Sequence, residues 1–318
     1  MDSVADYVAT IGQNVKEDIK VAIIDDGIDG FQENITDNIV SGISFCRYSD
    51  SGNLMNAYYV PSGGHGTMMA SLICRLCPQV KLFVARLEEY KAPFNKRHIT
   101  ARSAAEVRAR TNQPVKPLLM KLKAVRWAVT KEVDIISMSW TIESNSDDVE
   151  DFRKAIKAAS DKGIIMFCAF SDQGNVHKEN CFPSAFDSTL TIGAATALGS
   201  PCTWVNTENV AFLLPGEHIT IDRNAEESAK PESGSSIATA LAAGLASLLL
   251  YLAQLVDAQL YAELRKPEKM KKAFERLGIK DKYVQVYEKF PLSFEEWNWD
   301  SGEGLNKLTA LVAGLVVK

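Results

Sequence analysis

Gly234-Ser235-Ser236-Ile237-Ala238-Thr239-Ala240-Leu241-Ala242-Ala243-Gly244 joins a polar, irregular segment, Glu226 to Ser233, to a long apolar helical pattern running to about Leu255. A serine on the first turn of such a helix has two useful properties. Its hydroxyl stands clear of the helix body, and its own backbone N–H lies at the positive end of the helix dipole. A nucleophile whose attack creates an oxyanion beside it needs both. A plainer reading is open for the same residues: Ser235 or Ser236 simply caps a buried helix, as serine often does. The rest of the chain has to decide between them.

Upstream, Ile19-Lys20-Val21-Ala22-Ile23-Ile24 is a β-branched apolar run, fit for a strand buried on both faces. It stops abruptly at Asp25-Asp26-Gly27-Ile28-Asp29-Gly30. Carboxylates at the C-terminal end of a central strand stand where open α/β sheets keep their sites. An acidic turn with glycine is the alternative. The G-x-G-x-x-G pattern of a dinucleotide site is missing here. Next, Gly63-Gly64-His65-Gly66-Thr67 delivers the chain tightly to His65, and an apolar helical pattern follows through Ile73. A histidine in that place is either functional or an ordinary turn residue.

Further apolar runs predict strands at Val80–Leu87, Val133–Trp140, Ile164–Ala169, Thr189–Ala195 and Val210–Leu214. Amphipathic patterns predict helices at Leu118–Thr130, with Trp127 on the apolar side, and at Val149–Lys162, stopped by Gly163. Strand and helix alternate from 19 to 215. That order predicts an α/β fold, a mostly parallel central sheet with helices on both faces. Residues 31–62 read as loops and an edge strand, and residues 88–117 as an inserted helical hairpin or loop. The expected parts are an N-terminal helical segment (1–18), a catalytic-type body (19–256) and a C-terminal helical extension packed on the core (257–318). The extension holds a loop with Trp297 and Trp299 and a closing helix at Leu305–Val317.

The 318 residues are 46% hydrophobic and 24% charged, as in an ordinary soluble globular protein. A net charge of −5 gives no electrostatic reason to expect nucleic acid as a partner. No basic stretch followed by an apolar one stands near Met1, so no secretory signal is expected. Ile237–Val256 approaches the length of a membrane span. It is rich in Ala, Ser and Gly and carries Thr239, Ser247, Tyr251 and Gln254, so a buried core helix is expected and no membrane. Cys74-Arg75-Leu76-Cys77 has no second pair at metal-ligand spacing, so no metal site is expected. The six cysteines are scattered, and Cys168 lies in an apolar strand run where a reduced thiol is expected. The setting read from them is reducing and cytoplasmic.

Asp25, His65 and Ser236 arrive in the chain order Asp…His…Ser, the order of subtilisin-type triads. Around them the sequence resembles the subtilase (peptidase S8) family over roughly residues 20–255. Val21-Ala22-Ile23-Ile24-Asp25-Asp26-Gly27-Ile28 is similar to the acid motif, Gly64-His65-Gly66-Thr67 to the histidine motif, and Gly234-Ser235-Ser236-Ile237-Ala238-Thr239 to the serine motif. Ile136-Ser137-Met138-Ser139, Phe182-Pro183-Ser184-Ala185, Thr191-Ile192-Gly193-Ala194 and Leu214-Pro215-Gly216 resemble supporting blocks of the same family.

The resemblance implies a serine endopeptidase. Ser236 would attack the scissile carbonyl, His65 would carry its proton, and Asp25 would orient the imidazole. It implies an oxyanion hole from the Ser236 N–H and the side chain at position 172, and an extended protein or peptide substrate paired along Ser139-Trp140-Thr141. No cofactor is implied. Structural calcium occurs in the family, and no oxygen-rich loop here marks a site for it. The start of the chain resembles subtilases carried as effector domains by intracellular NLR-type receptors, notably in fungi. That implies limited proteolysis of one partner.

Three departures stand out. Ala240 replaces the proline that usually follows the serine motif. Asp26 replaces the usual Ser or Thr, although kexin-like members also carry D-D-G. Asp172 stands where the family usually has an asparagine amide, and an ionised carboxylate there repels an oxyanion; Asn175 lies nearby. A second reading therefore stands beside the enzyme: a subtilase-fold binding or regulatory module impaired by Asp172. For specificity, Glu143, Asp147 and Asp148 read either as a selector of basic side chains or as a solvated acidic loop. Phe170 is a candidate for narrowing the pocket.

Overall fold

A computed structural model describes residues 17–46, 54–87, 117–143, 148–172, 181–220, 231–278, 282–286, 289–290 and 303–316. Most of the 1–18 segment, most of the 88–117 insertion, Asn175, Asp147 and the Trp297–Trp299 loop lie outside the described residues, and so does the Glu143 side chain.

The apolar run beginning at Ile19 becomes β1 (Lys20–Asp25). With β2 (Ile39–Ser44), β3 (Lys81–Arg86), β4 (Ile135–Met138), β6 (Ile165–Ala169), β8 (Leu190–Ala195) and β9 (Phe212–Pro215) it forms one seven-stranded sheet in the order β2-β3-β1-β4-β6-β8-β9. Every neighbouring pair in it is parallel. β1 lies between β3 and β4, with Asp25 level with Arg86 and Val21 level with Ile135. β5 (Ile142–Glu143) and β7 (Cys181–Phe182) form a separate antiparallel pair, where the sequence suggested only an acidic loop beginning at Glu143. Two residues per strand are too few to leave a periodic signal.

A strand buried on both faces needs a helical layer on each side. One layer contains α1 (His65–Leu76) and α4 (Ser235–Val256), which pack on Val21 and Ile23. The other contains α2 (Pro117–Thr130) and α3 (Asp148–Asp161), which pack on Ala22 and Ile24. The alternation of side chains along β1 thus feeds two separate cores. Trp127 lies half-buried against Phe83, their ring centroids 6.4 Å apart.

α4 is long and apolar enough to cross a membrane, but 89% of its most apolar window is buried inside the protein. Gly244 sits close against α1: a Cβ added there would lie 3.1 Å from the Ile73 Cα. α5 (Ala258–Leu264), α6 (Pro267–Leu277) and α7 (Glu303–Val316) bring Leu264, Met270, Phe274, Leu308 and Val312 into the same core as α1 and α4. Buried Asp134 takes Lys20 N–H at 2.8 Å and pairs with Arg265 of the α5 end at 2.7 Å, so these helices are also tied to the sheet.

Candidate active site

Three elements end or begin at one edge of the sheet, β1 with Asp25 and the helices α1 and α4 with His65 and Ser236. His65 and Ile73 are eight residues apart, as are Ser236 and Gly244. Since Gly244 sits against Ile73, the two helices run side by side in register, and their first turns lie at the same level.

Asp25 is buried, and both of its carboxylate oxygens accept from His65 Nδ1, at 2.9 and 3.1 Å. A carboxylate accepts only, so the proton is on Nδ1 and Nε2 is the basic nitrogen. The Asp25 Oδ1 atom also accepts the Asp26 N–H at 2.8 Å. The His65 side chain retains 18% exposure.

Asp26, the second acid of the pair, has a different role. Its Oδ2 accepts Gly63 N–H at 2.7 Å and His65 N–H at 3.3 Å, and its Oδ1 accepts Gly66 N–H at 2.7 Å. These are donors at and just before the start of α1, so the carboxylate sits at the positive end of that helix. Burial and the neighbouring Asp25 charge push its pKa up, and the amide donors oppose that rise. Two glycines make the approach possible. Gly64 caps α1 at φ +86°, and a Cβ on Gly66 would lie 2.2 Å from the Gly27 carbonyl oxygen.

The cap of α4 is Gly234, not a serine. Ser235 and Ser236 are its first two helical residues and differ sharply. Ser235 is fully buried; its hydroxyl accepts Ala194 N–H at 3.0 Å and its N–H donates to Asp172 Oδ2 at 3.0 Å. Ser236 is half-buried, and its carbonyl accepts the Ser139 hydroxyl at 3.2 Å. Ser236 Oγ and Asp172 Oδ2 converge on one spot, each 3.3 Å from where a Gly234 Cβ would stand.

The residues expected to line a substrate strand turn their side chains inward. Ser139 and Trp140 are buried, and Trp140 Nε1 donates to the Ile24 carbonyl at 2.7 Å. Thr141 is half-buried. Phe170 is 1% exposed and packs with Ala195, Val210 and Leu213, a separate small core. All six cysteines are free and buried. Burial pushes the Cys74 and Cys77 thiols up, Cys77 to about 12, which makes both poor ligands and nucleophiles. Among the described residues no cluster of three or more His, Cys, Asp or Glu side chains is placed to hold a metal ion.

Two residues near the site escaped the sequence reading. Arg86, buried at the end of β3, donates to Ala57 O at 2.7 Å and Ser62 Oγ at 2.9 Å, holding the segment that leads to His65. Lys121 is buried on α2, its ammonium 4.5 Å from the centroid of the Trp140 ring. A signal for Lys121 existed: it falls three residues after Leu118 and four before Val125, on the apolar stripe of the helix.

The family description Subtilase family (Peptidase S8) matches residues 16–272. The chain is 27% identical over 221 residues to the subtilisin-like protease het-Q2 of Podospora anserina, covering 65% of this chain and 55% of that protein. It thus spans about half the length of this fungal relative. It is 24% identical to an intracellular serine protease of Paenibacillus polymyxa, with 78% of this chain and 73% of that one covered. Among solved structures, a lanthipeptide protease superposes with a TM-score of 0.65 at 15% identity, covering 90% of this chain and 91% of the other. That likeness is one of fold. With the family match running through most of the sequence, from before β1 to within α6, the chain belongs to the subtilase family.

Proposed function

We propose that this chain is a serine endopeptidase that uses Asp25, His65 and Ser236 as its triad. The observation that carries the reading is the double hydrogen bond between the Asp25 carboxylate and His65 Nδ1, at 2.9 and 3.1 Å. It sets the tautomer in which Nε2 takes the Ser236 proton as Oγ attacks the scissile carbonyl, then returns it to the leaving amine. The Ser236 N–H, on the first turn of α4, is one oxyanion donor, and the side chain of Asp172 is the candidate for the second. A protein or peptide substrate pairs through its backbone with the Ser139–Thr141 segment, since the Ser139 and Trp140 side chains are engaged elsewhere. Buried free thiols and the intracellular bacterial relative support a cytoplasmic enzyme, and no cofactor enters the proposed chemistry. Limited proteolysis of one partner, within a larger protein of NLR type, belongs to the same proposal and rests on the sequence resemblance; the fungal relative is a subtilisin-like protease. The body and the helices after Val256 act as one unit, because they share a core.

One observation favours the second reading, an impaired binding module. Asp172 Oδ2 accepts the Ser235 N–H beside Ser236 Oγ, so its carboxylate serves as an acceptor where a donor is wanted. A fluorophosphonate probe followed by peptide mapping separates the two. The enzyme takes the label on Ser236, not Ser235, and loses it in Ser236→Ala. In Asp172→Asn, an enzyme hampered by the carboxylate gains turnover of roughly 100- to 1,000-fold on a peptide library. A binding module stays unlabelled and inert in both forms.

A further inference from the structure

Lys121 is a buried cation with no assigned task. It is 8% exposed, and among the described residues no carboxylate lies within ion-pair distance of its ammonium. The ammonium stacks on Trp140 at 4.5 Å, the indole N–H of Trp140 holds the Ile24 carbonyl at 2.7 Å, and the next residue is Asp25. Burial drives the Lys121 pKa down to about 8, and the Asp25 charge acts against that fall. Among the described residues, Lys123 and Arg126 of α2 itself are exposed. Arg86 of β3 is turned to Ala57 and Ser62. Asp151, Arg153, Lys154 and Lys157 of α3 are exposed, and Asp148, at the start of that helix, is half-buried.

We propose that Lys121 is a positioning residue of the triad: held on the Trp140 ring, its ammonium supports the ionised Asp25 carboxylate from the α2 face of the sheet and lowers the proton affinity of His65. The inference rests on the triad reading. A carboxylate buried beside an imidazole raises the basicity of that ring, which works against release of the proton it takes up. A positive charge on the far side, present below about pH 8, opposes a second one on the imidazole. Stacking on an aromatic face supplies part of what the ammonium loses on leaving water.

The test is the titration of the His65 ring followed by NMR in protein carrying Ser236→Ala, which prevents self-cleavage. His65 is assigned by the signal lost in His65→Gln. Lys121→Met keeps the stem that covers Trp140 and removes the charge. It raises the His65 pKa by roughly half a unit or more, while Lys121→Arg holds the parent value. In protein with Ser236 intact, the acid limb of kcat/KM moves to higher pH in Lys121→Met by a like amount. Should the methionine variant not fold, the parent protein still reports: its His65 signal shows a second inflection near pH 8 as Lys121 loses its proton. A His65 titration unchanged by Lys121→Met in folded protein, or one without that inflection, overturns the proposal. The two readings fail separately. An unlabelled Ser236 with a shifted His65 removes the protease and keeps the coupling; a labelled Ser236 with an unshifted His65 does the reverse.

Discussion

Adjacent residues with the same side chain do different work in this site, and backbone direction is the cause. Asp25 ends β1 with its carboxylate toward His65, while Asp26 turns back beneath the start of α1 and collects three N–H donors. The pair Ser235 and Ser236 divides in the same way, one hydroxyl holding Ala194 and the other at the site. Asp26 therefore positions His65 through the backbone. Asp26→Asn replaces one acceptor oxygen by an NH2 group that meets an amide N–H. Leaving a buried donor unmatched costs about 1–3 kcal/mol. We expect urea melts to show a loss of that size, and kcat to fall at least roughly tenfold as His65 shifts against Ser236. An unchanged kcat in a destabilised variant would restrict Asp26 to a capping role.

At the scale of elements, the site depends on two helices lying in register. Gly244 lets α4 sit close against Ile73 and Leu76 of α1, the added Cβ falling 3.1 Å from each. Gly244→Val forces that contact apart, at a cost of about 1–3 kcal/mol for overpacking. The two first turns then separate, and the loss appears in the chemical step. Steady-state kinetics on a peptide substrate are expected to show a lower kcat with KM little altered. A raised KM at constant kcat would instead place the damage in substrate binding.

Across the whole molecule, the helices after Val256 complete the core under the sheet. Phe274 of α6 is fully buried between Phe167 and Phe212, with ring centroids 5.5 and 5.4 Å away. Phe274→Ala leaves a cavity and costs about 3–5 kcal/mol. The ring contacts β6 and β9 from a helix that supplies no candidate site residue, so turnover per labelled Ser236 should be unaltered at low temperature. Thermal melting and active-site titration together check both halves. A specific activity that falls with the melting temperature would join this region to the site itself.

Local pattern carried much of the architecture. Apolar runs such as the one ending at Asp25 mark strands buried on both faces, and the alternation with amphipathic helices leads to a parallel sheet. The order of Asp25, His65 and Ser236, with the glycines that deliver them, was also legible. Pattern could not tell Ser235 from Ser236 by burial, nor distinguish the two carboxylates of Asp25-Asp26, because each choice depends on which distant amides come within reach. The inward turn of Trp140, the packing of Phe170 and the nearness of Lys121 to the site were decided only by tertiary structure. Secondary structure follows from periodicity along the chain. The partners of a polar group follow from where three layers bring segments far apart in sequence, and one strand cannot report that.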